Sequence, residues 1–363
     1  MPRKPVLIMA GGTGGHVYPA LAVADYLHNK QVPLYWLGTK KGLEARIVPA
    51  KGYALLTINI SGLRGKGLLK WLLAPFVLCM ALLQSIIILI RLKPAVILGM
   101  GGFVSGPGGI AAWLMRIPLC IHEQNAIAGF TNQLLAPLAH SVMQAFPGTF
   151  PVSVKAILTG NPVRAEIYNV TPPEQRIRSG SNEKLKLLVL GGSQGARSLN
   201  QIIPQTLSKL PSAIQLDVRH QTGSQLYAET EALYRELNCS GHLEPFIEDM
   251  AAAYAWADLV ICRSGALTIA ELSAVGVASI LVPFPYAVDD HQTANAHYLS
   301  HQGAALLIQE QDLTSDKLCQ LFIEYFYSRQ NLLSMAQQAR KLAKPQATCE
   351  VAEYCLGAAA YAG

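Results

Sequence analysis

The chain has 363 residues, 51% of them hydrophobic and only 14% charged. That balance excludes a disordered polypeptide and a small disulfide scaffold, and it leaves room for two domains, each with its own core. The net charge of +6 comes without a long Lys/Arg tract, which favours phosphates and acidic lipids as partners and argues against nucleic acid.

Short apolar runs of β type alternate with helical patterns through the first half. The predicted strands are Val6–Met9, Leu34–Leu37, Leu55–Ile58, Ala95–Leu98, Leu119–His122 and Ser141–Gln144, with helical stretches such as Tyr18–His28 and Gly129–Leu138 between them. Such alternation predicts a parallel sheet covered by helices on both faces. After Gly160-Asn161-Pro162-Val163-Arg164 comes a polar, turn-rich stretch, TPPEQRIRSGSNEK. The pattern then restarts: KLKLLVLGGSQGARSLNQII repeats the strand, glycine turn and helix of VLIMAGGTGGHVYPALAVA, with Gly11 and Gly191 180 residues apart. Further strands are predicted at Ile214–Arg219, Leu259–Cys262 and Ser279–Val282, and an Ala-rich closing helix at Ala347–Ala362. Two similar α/β domains explain this pattern better than one large sheet.

Seven cysteines, an odd count, lie scattered with no CxxC and no metal-ligand spacing. They read as reduced thiols of a cytosolic protein, and no metal is expected. The N-terminal apolar run is too short for a secretory signal.

The glycine turn AGGTGGHVYPAL, Ala10 to Leu21, follows the first strand. Such a turn lets backbone N–H groups approach an anion, or it simply packs helix on strand. The dinucleotide fingerprint fails, because Val17 occupies the third glycine position and WLGTKKGLE lacks an acid near the end of the next strand. No Gly-Lys-Ser/Thr follows, so a Walker motif fails too. His16 sits at the helix start, where the positive end of the helix dipole favours a neutral imidazole. It reads either as a general base or as a capping or surface residue.

Other strand ends carry similar polar and glycine loops. GMGGFVSGPGG follows the fourth strand, and His122, Glu123, Gln124 and Asn125 end the next. Polar loops gathered at strand C-termini mark the ligand crevice of an open α/β sheet. In the second half, CRSGALTIAEL frees N–H groups at a helix start, suited to a pyrophosphate. Glu271, one turn in, reads as a ribose acceptor or as a solvated helix residue. The cluster Asp289, Asp290, His291, Gln292 and Asn295 reads as a helix cap, with Asp290 as N-cap, or as a reader of sugar hydroxyls.

Taken together, GGTGGHVYPA, GMGGFVSGPG, HEQNAIAGFTN, GNPVR, GGSQGARSLN, RSGALTIAELSAVGVASILVPFP and DDHQTANA resemble the MurG family of bacterial transferases over essentially the whole chain. Members move N-acetylglucosamine (GlcNAc) from UDP-GlcNAc onto lipid I, undecaprenyl-pyrophosphoryl-MurNAc-pentapeptide, to make lipid II. The resemblance implies an α/β fold of two Rossmann-like domains with parallel sheets facing a cleft, the GT-B glycosyltransferase architecture, and an inverting, cofactor-free reaction. It implies an acceptor-binding, membrane-associating domain at 1–162 and a UDP-GlcNAc-binding domain at 163–345. A terminal helix at 346–363 would pack back on the first domain. By the resemblance, Thr13, Gly14, Gly15, Asn125, Arg164, Ser193, Ile247, Ala266, Leu267, Thr268, Ile269, Ala270, Glu271 and Gln292 are substrate contacts. Ile247 would lie near uracil, Ser193 and the helix start at Ala266 near the diphosphate, Glu271 near ribose and Gln292 near the sugar. His16 is the candidate base toward the acceptor's 4-hydroxyl, the alternative being that it positions the diphosphate or acceptor. A UDP-sugar transferase with another lipid acceptor, and a dinucleotide-dependent oxidoreductase, are the competing readings.

Trp71–Ile90 is apolar enough to span a bilayer, but a span would interrupt a parallel sheet between two of its strands. The expectation is a crossover helix lying in an anionic membrane surface, flanked by Arg64, Lys66, Lys70, Arg91 and Lys93. With the resemblance, this implies a peripheral enzyme at the cytoplasmic face of the inner membrane, near other cell-wall synthesis proteins.

Overall fold

The computed structural model describes residues 4–60, 68–177, 184–192 and 194–361, without the side chains of 68–73 and 361. Ser193, Arg64, Lys66 and the Lys70 side chain therefore lie outside the described residues. The chain divides into two compact units, Met1–Arg164 with Lys344–Gly363, and Ala165–Ala343.

The first unit holds strands β1 (Val6–Met9), β2 (Leu34–Gly38), β3 (Ala54–Thr57), β4 (Val96–Gly99), β5 (Leu119–Glu123), β6 (Ser141–Gln144) and β7 (Ile157–Leu158). They form one parallel sheet in the order β3-β2-β1-β4-β5-β6-β7. The order reverses between β1 and β4, and the loops leaving those two strands flank the switch point where doubly wound folds bind ligands. Both faces of the central strands are covered, so β1 and β4 are buried at every position.

The helix Gly14–Asn29 begins earlier than its apolar pattern, because Gly14, Gly15 and His16 form its first turn. Pro19 sits inside it and removes the bond its N–H would make to the Gly15 carbonyl. The terminal helix Ala347–Tyr361 packs on Gly14–Asn29 and adds Val351, Ala352, Cys355 and Ala358 to the same core. Tyr26 donates to Glu353 at 3.2 Å, and Lys30 pairs with the same carboxylate, at the rim of that contact.

The apolar helix Leu68–Leu92 is the crossover from β3 to β4, both strands of one sheet. Its Ala74–Leu92 portion is long and apolar enough to cross a membrane. Ala74, Ala81, Ser85 and Leu89 make a narrow buried stripe, while Phe76, Leu78, Met80, Leu83, Ile87 and Ile90 are exposed.

The second unit repeats the plan with β8 (Leu185–Leu190), β9 (Leu216–Gln221), β10 (His242–Glu244), β11 (Leu259–Cys262), β12 (Ala278–Leu281) and β13 (Leu306–Leu307). Their order is β10-β9-β8-β11-β12-β13, all parallel, with the switch between β8 and β11. All seven cysteines are free thiols; Cys120, Cys262 and Cys355 are buried and Cys79 is exposed.

Candidate functional site

In the first unit the site is built where the β1 and β4 turns meet. Gly102, at φ +80°, passes against the Gly11 carbonyl so closely that a Cβ there would collide with it. His16 lies over the neighbouring Gly101, its Nε2 2.8 Å from where a Cβ would stand. Thr13 is the N-cap of the helix in extended conformation, and its hydroxyl makes no capping bond. It meets His16 Nδ1 instead, at 3.1 Å.

The end of β5 supplies a buried polar network. His122 Nε2 is 2.9 Å from the Gly160 carbonyl, which fixes the proton on Nε2 and leaves Nδ1 as the acceptor for the Gln124 amide at 3.0 Å. Burial pushes the His122 pKa down to about 4, so the ring is neutral at neutral pH. The side-chain oxygen of Gln124 is thereby turned away from His122. It lies 3.4 Å from the Gly101 Cβ position, on the side of His16. Glu123 accepts from Asn125 N and Nδ2 with one oxygen, and from Gly129 N and Asn132 Nδ2 with the other. Asn125 is thus held by its own loop. Arg164 lies over the Tyr18 ring at 5.7 Å, bringing a guanidinium to the helix that carries His16.

In the second unit the helix Ala266–Val275 starts directly after the β11 turn, with Gly265 as N-cap and no side-chain bond to the first N–H groups. Ala266, Ile269 and Glu271 are buried; Leu267, Thr268 and Ala270 are half-buried. Tyr254 donates to Glu271 Oε2 at 3.1 Å. Gln292 sits in the first turn of His291–Ser300 and accepts from Phe284 N with Oε1 at 2.9 Å, which turns its NH₂ to the other side. Asn295 is buried and bonds the Ser264 carbonyl, fastening the two loops together. Asp290 is the N-cap of that helix in a left-handed conformation; its carboxylate accepts from Thr293 instead of capping. Ile247 is only 2% exposed, whereas Phe246 beside it is 43% exposed.

Thr13, Gly14, Gly15, His16, Asn125 and Arg164 lie in the first unit, with Thr13 meeting His16 and Arg164 lying over Tyr18 of the same helix. Ile247, Ala266–Glu271 and Gln292 belong to the second. Among the described residues, no three His, Cys, Asp or Glu side chains converge as a metal site. Sequence reading missed Glu44. It is fully buried and accepts the N–H of Gly12 at 3.1 Å and the Thr39 N–H and hydroxyl at 2.9 and 2.8 Å. The acid of WLGTKKGLE stands at its last position, beyond the strand, committed to two backbone N–H groups and the Thr39 hydroxyl. The three glycines crowded around it, Gly11, Gly38 and Gly42, are the signal that marks it.

Two doubly wound units, each with a glycine turn and a helix start at its switch point, make up the two-domain architecture of the GT-B fold. Models of the glycosyltransferase family 28 N-terminal and C-terminal domains match residues 6–144 and 186–351. The chain is 55% identical over 351 residues to a Nitrosococcus oceani protein, covering 97% of this chain and 98% of that one. It is 51% identical over 358 residues to one from Marinobacter nauticus, covering 99% and 98%. Both are named UDP-N-acetylglucosamine--N-acetylmuramyl-(pentapeptide) pyrophosphoryl-undecaprenol N-acetylglucosamine transferase. The crystal structure of Acinetobacter baumannii MurG superposes with a TM-score of 0.83 at 42% identity, covering 98% of this chain and 99% of that one. The chain belongs to glycosyltransferase family 28.

Proposed function

We propose that this protein transfers GlcNAc from UDP-GlcNAc to the 4-hydroxyl of MurNAc in lipid I, forming lipid II and UDP. The observation that carries the reading is identity of about half the residues, over nearly the whole chain, with relatives named for that reaction. In one displacement the acceptor oxygen bonds to the anomeric carbon, the bond to the β-phosphate oxygen breaks, and the hydroxyl proton passes to His16 Nε2. For that, Nδ1–H donates to Thr13 Oγ1, consistent with their 3.1 Å separation. The open N–H groups at Ala266 and Leu267 favour the charge growing on UDP, and Arg164 is assigned to the donor by resemblance. Glu271 takes the ribose hydroxyls and Gln292 offers its NH₂ to the sugar, with Thr13, Gly14, Gly15 and Asn125 as further donor contacts. Thr268, Ile269 and Ala270 belong to the same helix start. The buried Ile247 leaves main chain and Phe246 to meet uracil. Ser193 is assigned to the diphosphate by resemblance alone.

The same reading places the protein peripherally on the cytoplasmic face of the inner membrane. The helices Leu68–Leu92, Ser105–Leu114 and Phe130–Leu135 pack in a row. Besides the outward residues of the first, they expose Ile110, Trp113, Leu114, Phe130 and Leu134. Arg91, Lys93 and Arg116 stand at the ends of the first two helices, a pairing of apolar surface with basic rim suited to anionic lipid.

The test offers UDP-[¹⁴C]GlcNAc with either a soluble short-chain lipid I analogue or diacylglycerol. Label transfer to the lipid I analogue alone is expected. Transfer to diacylglycerol alone supports the rival acceptor and contradicts the proposal.

A further inference from the structure

Glu44 is a carboxylate at 0% exposure whose partners in the described structure are N–H and O–H groups of two loops. A buried carboxylate is tolerated only when donors saturate it, and such bonds are strong and directional. The two oxygens divide the work. Oε1 takes both donors of Thr39, on the loop after β2, while Oε2 takes the N–H of Gly12, on the loop after β1. Space for the carboxylate comes from glycines on both loops: a Cβ on Gly11 would stand 2.7 Å from Oε1, one on Gly38 2.6 Å from Cγ, and one on Gly42 would overlap both oxygens.

The residue held by Oε2 is the hinge of the His16 turn. Gly12 adopts φ +95°, a conformation that side-chain-bearing residues rarely take. It is followed by Thr13, the N-cap whose hydroxyl meets His16 Nδ1. A continuous path thus runs from the carboxylate through Gly12 and Thr13 to the imidazole. The Gly12 N–H is also withdrawn from any ligand anion, so this turn differs from a phosphate-cradling glycine loop.

We propose that Glu44 is a positioning residue of the transfer reaction, holding His16 in its working orientation through Gly12 and Thr13. The inference rests on the reading of His16 as the base. It makes the carboxylate matter chiefly for turnover through His16, with a smaller effect on donor affinity through Thr13, Gly14 and Gly15 of the same turn.

A double-mutant cycle tests it, using UDP release from UDP-GlcNAc with a soluble lipid I analogue for wild type, Glu44→Gln, His16→Ala and the double variant. The amide keeps the size of the carboxylate but sets an NH₂ against one of its backbone donors. Glu44→Gln is expected to lower kcat roughly thirtyfold and to raise the UDP-GlcNAc KM by less than about fivefold, the smaller effect coming through the donor contacts of the same turn. In the His16→Ala background the same change is expected to cost under about threefold, because groups acting as one unit are not additive. An equal fold loss in both backgrounds, with His16→Ala itself crippled, overturns the inference and leaves the base reading standing. Near-normal turnover by His16→Ala removes the base reading and the inference with it. Should Glu44→Gln fail to fold, hydrogen exchange at the Gly12 amide of the wild-type protein decides. Strong protection is expected, and exchange as fast as an open loop overturns the proposal.

Discussion

Thr13 Oγ1 and His16 Nδ1 stand 3.1 Å apart across the first turn of one helix, although Thr13 forms no cap to that helix. The hydroxyl is used to set the imidazole instead of the backbone. Thr13→Val, which keeps the shape and removes the hydroxyl, is expected to lower kcat about tenfold, the order of one hydrogen bond. Thr13→Ser is expected to stay within about threefold of wild type. Steady-state turnover of the two variants checks this, and equal losses in both would contradict it.

Glu271 is held by the Tyr254 hydroxyl at 3.1 Å, which fixes one oxygen of a buried carboxylate. Glu271→Gln is expected to weaken UDP-GlcNAc binding roughly 10- to 100-fold, the range for a hydrogen bond to a charged group. Tyr254→Phe, which loosens the carboxylate without removing it, is expected to weaken binding only a few-fold. Titration calorimetry with UDP-GlcNAc reads both, and an unchanged affinity for Glu271→Gln would remove the residue from the donor site.

Stability should fall with acid through two buried histidines. Desolvation holds His122 at about 4 and His220 at about 3, below the ordinary value of 6.5. The unfolded chain takes up these protons as pH drops through about 6.5, and the folded protein does not. The stabilisation is therefore complete above that value and is lost downward to about pH 4 for His122 and about pH 3 for His220. Within the window each contributes a slope of ~1.4 kcal/mol per pH unit. His220 is bonded to Tyr234 and Asn200 at 3.0 Å each. His220→Gln is expected to be less stable than wild type at about pH 7.5 but to lose less stability on going to about pH 5. Urea unfolding at the two pH values measures this, and parallel losses in the two proteins would contradict it.

The exposed apolar residues of three neighbouring helices should act together on a bilayer. Replacing Phe76, Leu83 and Trp113 with Ser is expected to reduce binding to anionic vesicles at least tenfold, since each is a large side chain left outside the core. Turnover on a soluble acceptor should be retained. Vesicle flotation that is unchanged by the triple substitution would reject this face as the contact.

Much of this arrangement is legible in the sequence because it depends on repeated local rules. The glycine turns after β1 and β8 reveal the two doubly wound units, and the position of the apolar crossover between β-type runs argues against a span that its length would allow. The short strands β7, β10 and β13 escape, because two or three residues carry no periodicity. The helical stretch Gly129–Leu138 divides into Phe130–Leu135 and the 3₁₀ turn Ala136–Leu138, where Pro137 cannot donate. The pattern for the first helix begins at Tyr18, because glycines carry no apolar signal in the first turn. Glu44 escapes for a different reason, the glycines Gly11, Gly38 and Gly42 being the one trace it leaves in the sequence. Its role depends on a backbone N–H 32 residues away in sequence, and no spacing rule points to that partner.

The most direct test of the account is UDP release from UDP-GlcNAc with a soluble lipid I analogue, comparing wild type with His16→Ala while donor binding is measured separately. Robust wild-type turnover is expected, with a loss of roughly 10²- to 10⁴-fold in the variant, the usual range for removing a general base, and UDP-GlcNAc affinity retained. Wild-type protein that releases no UDP on a validated acceptor would contradict the assigned reaction, and a variant that turns over normally would contradict the role of His16.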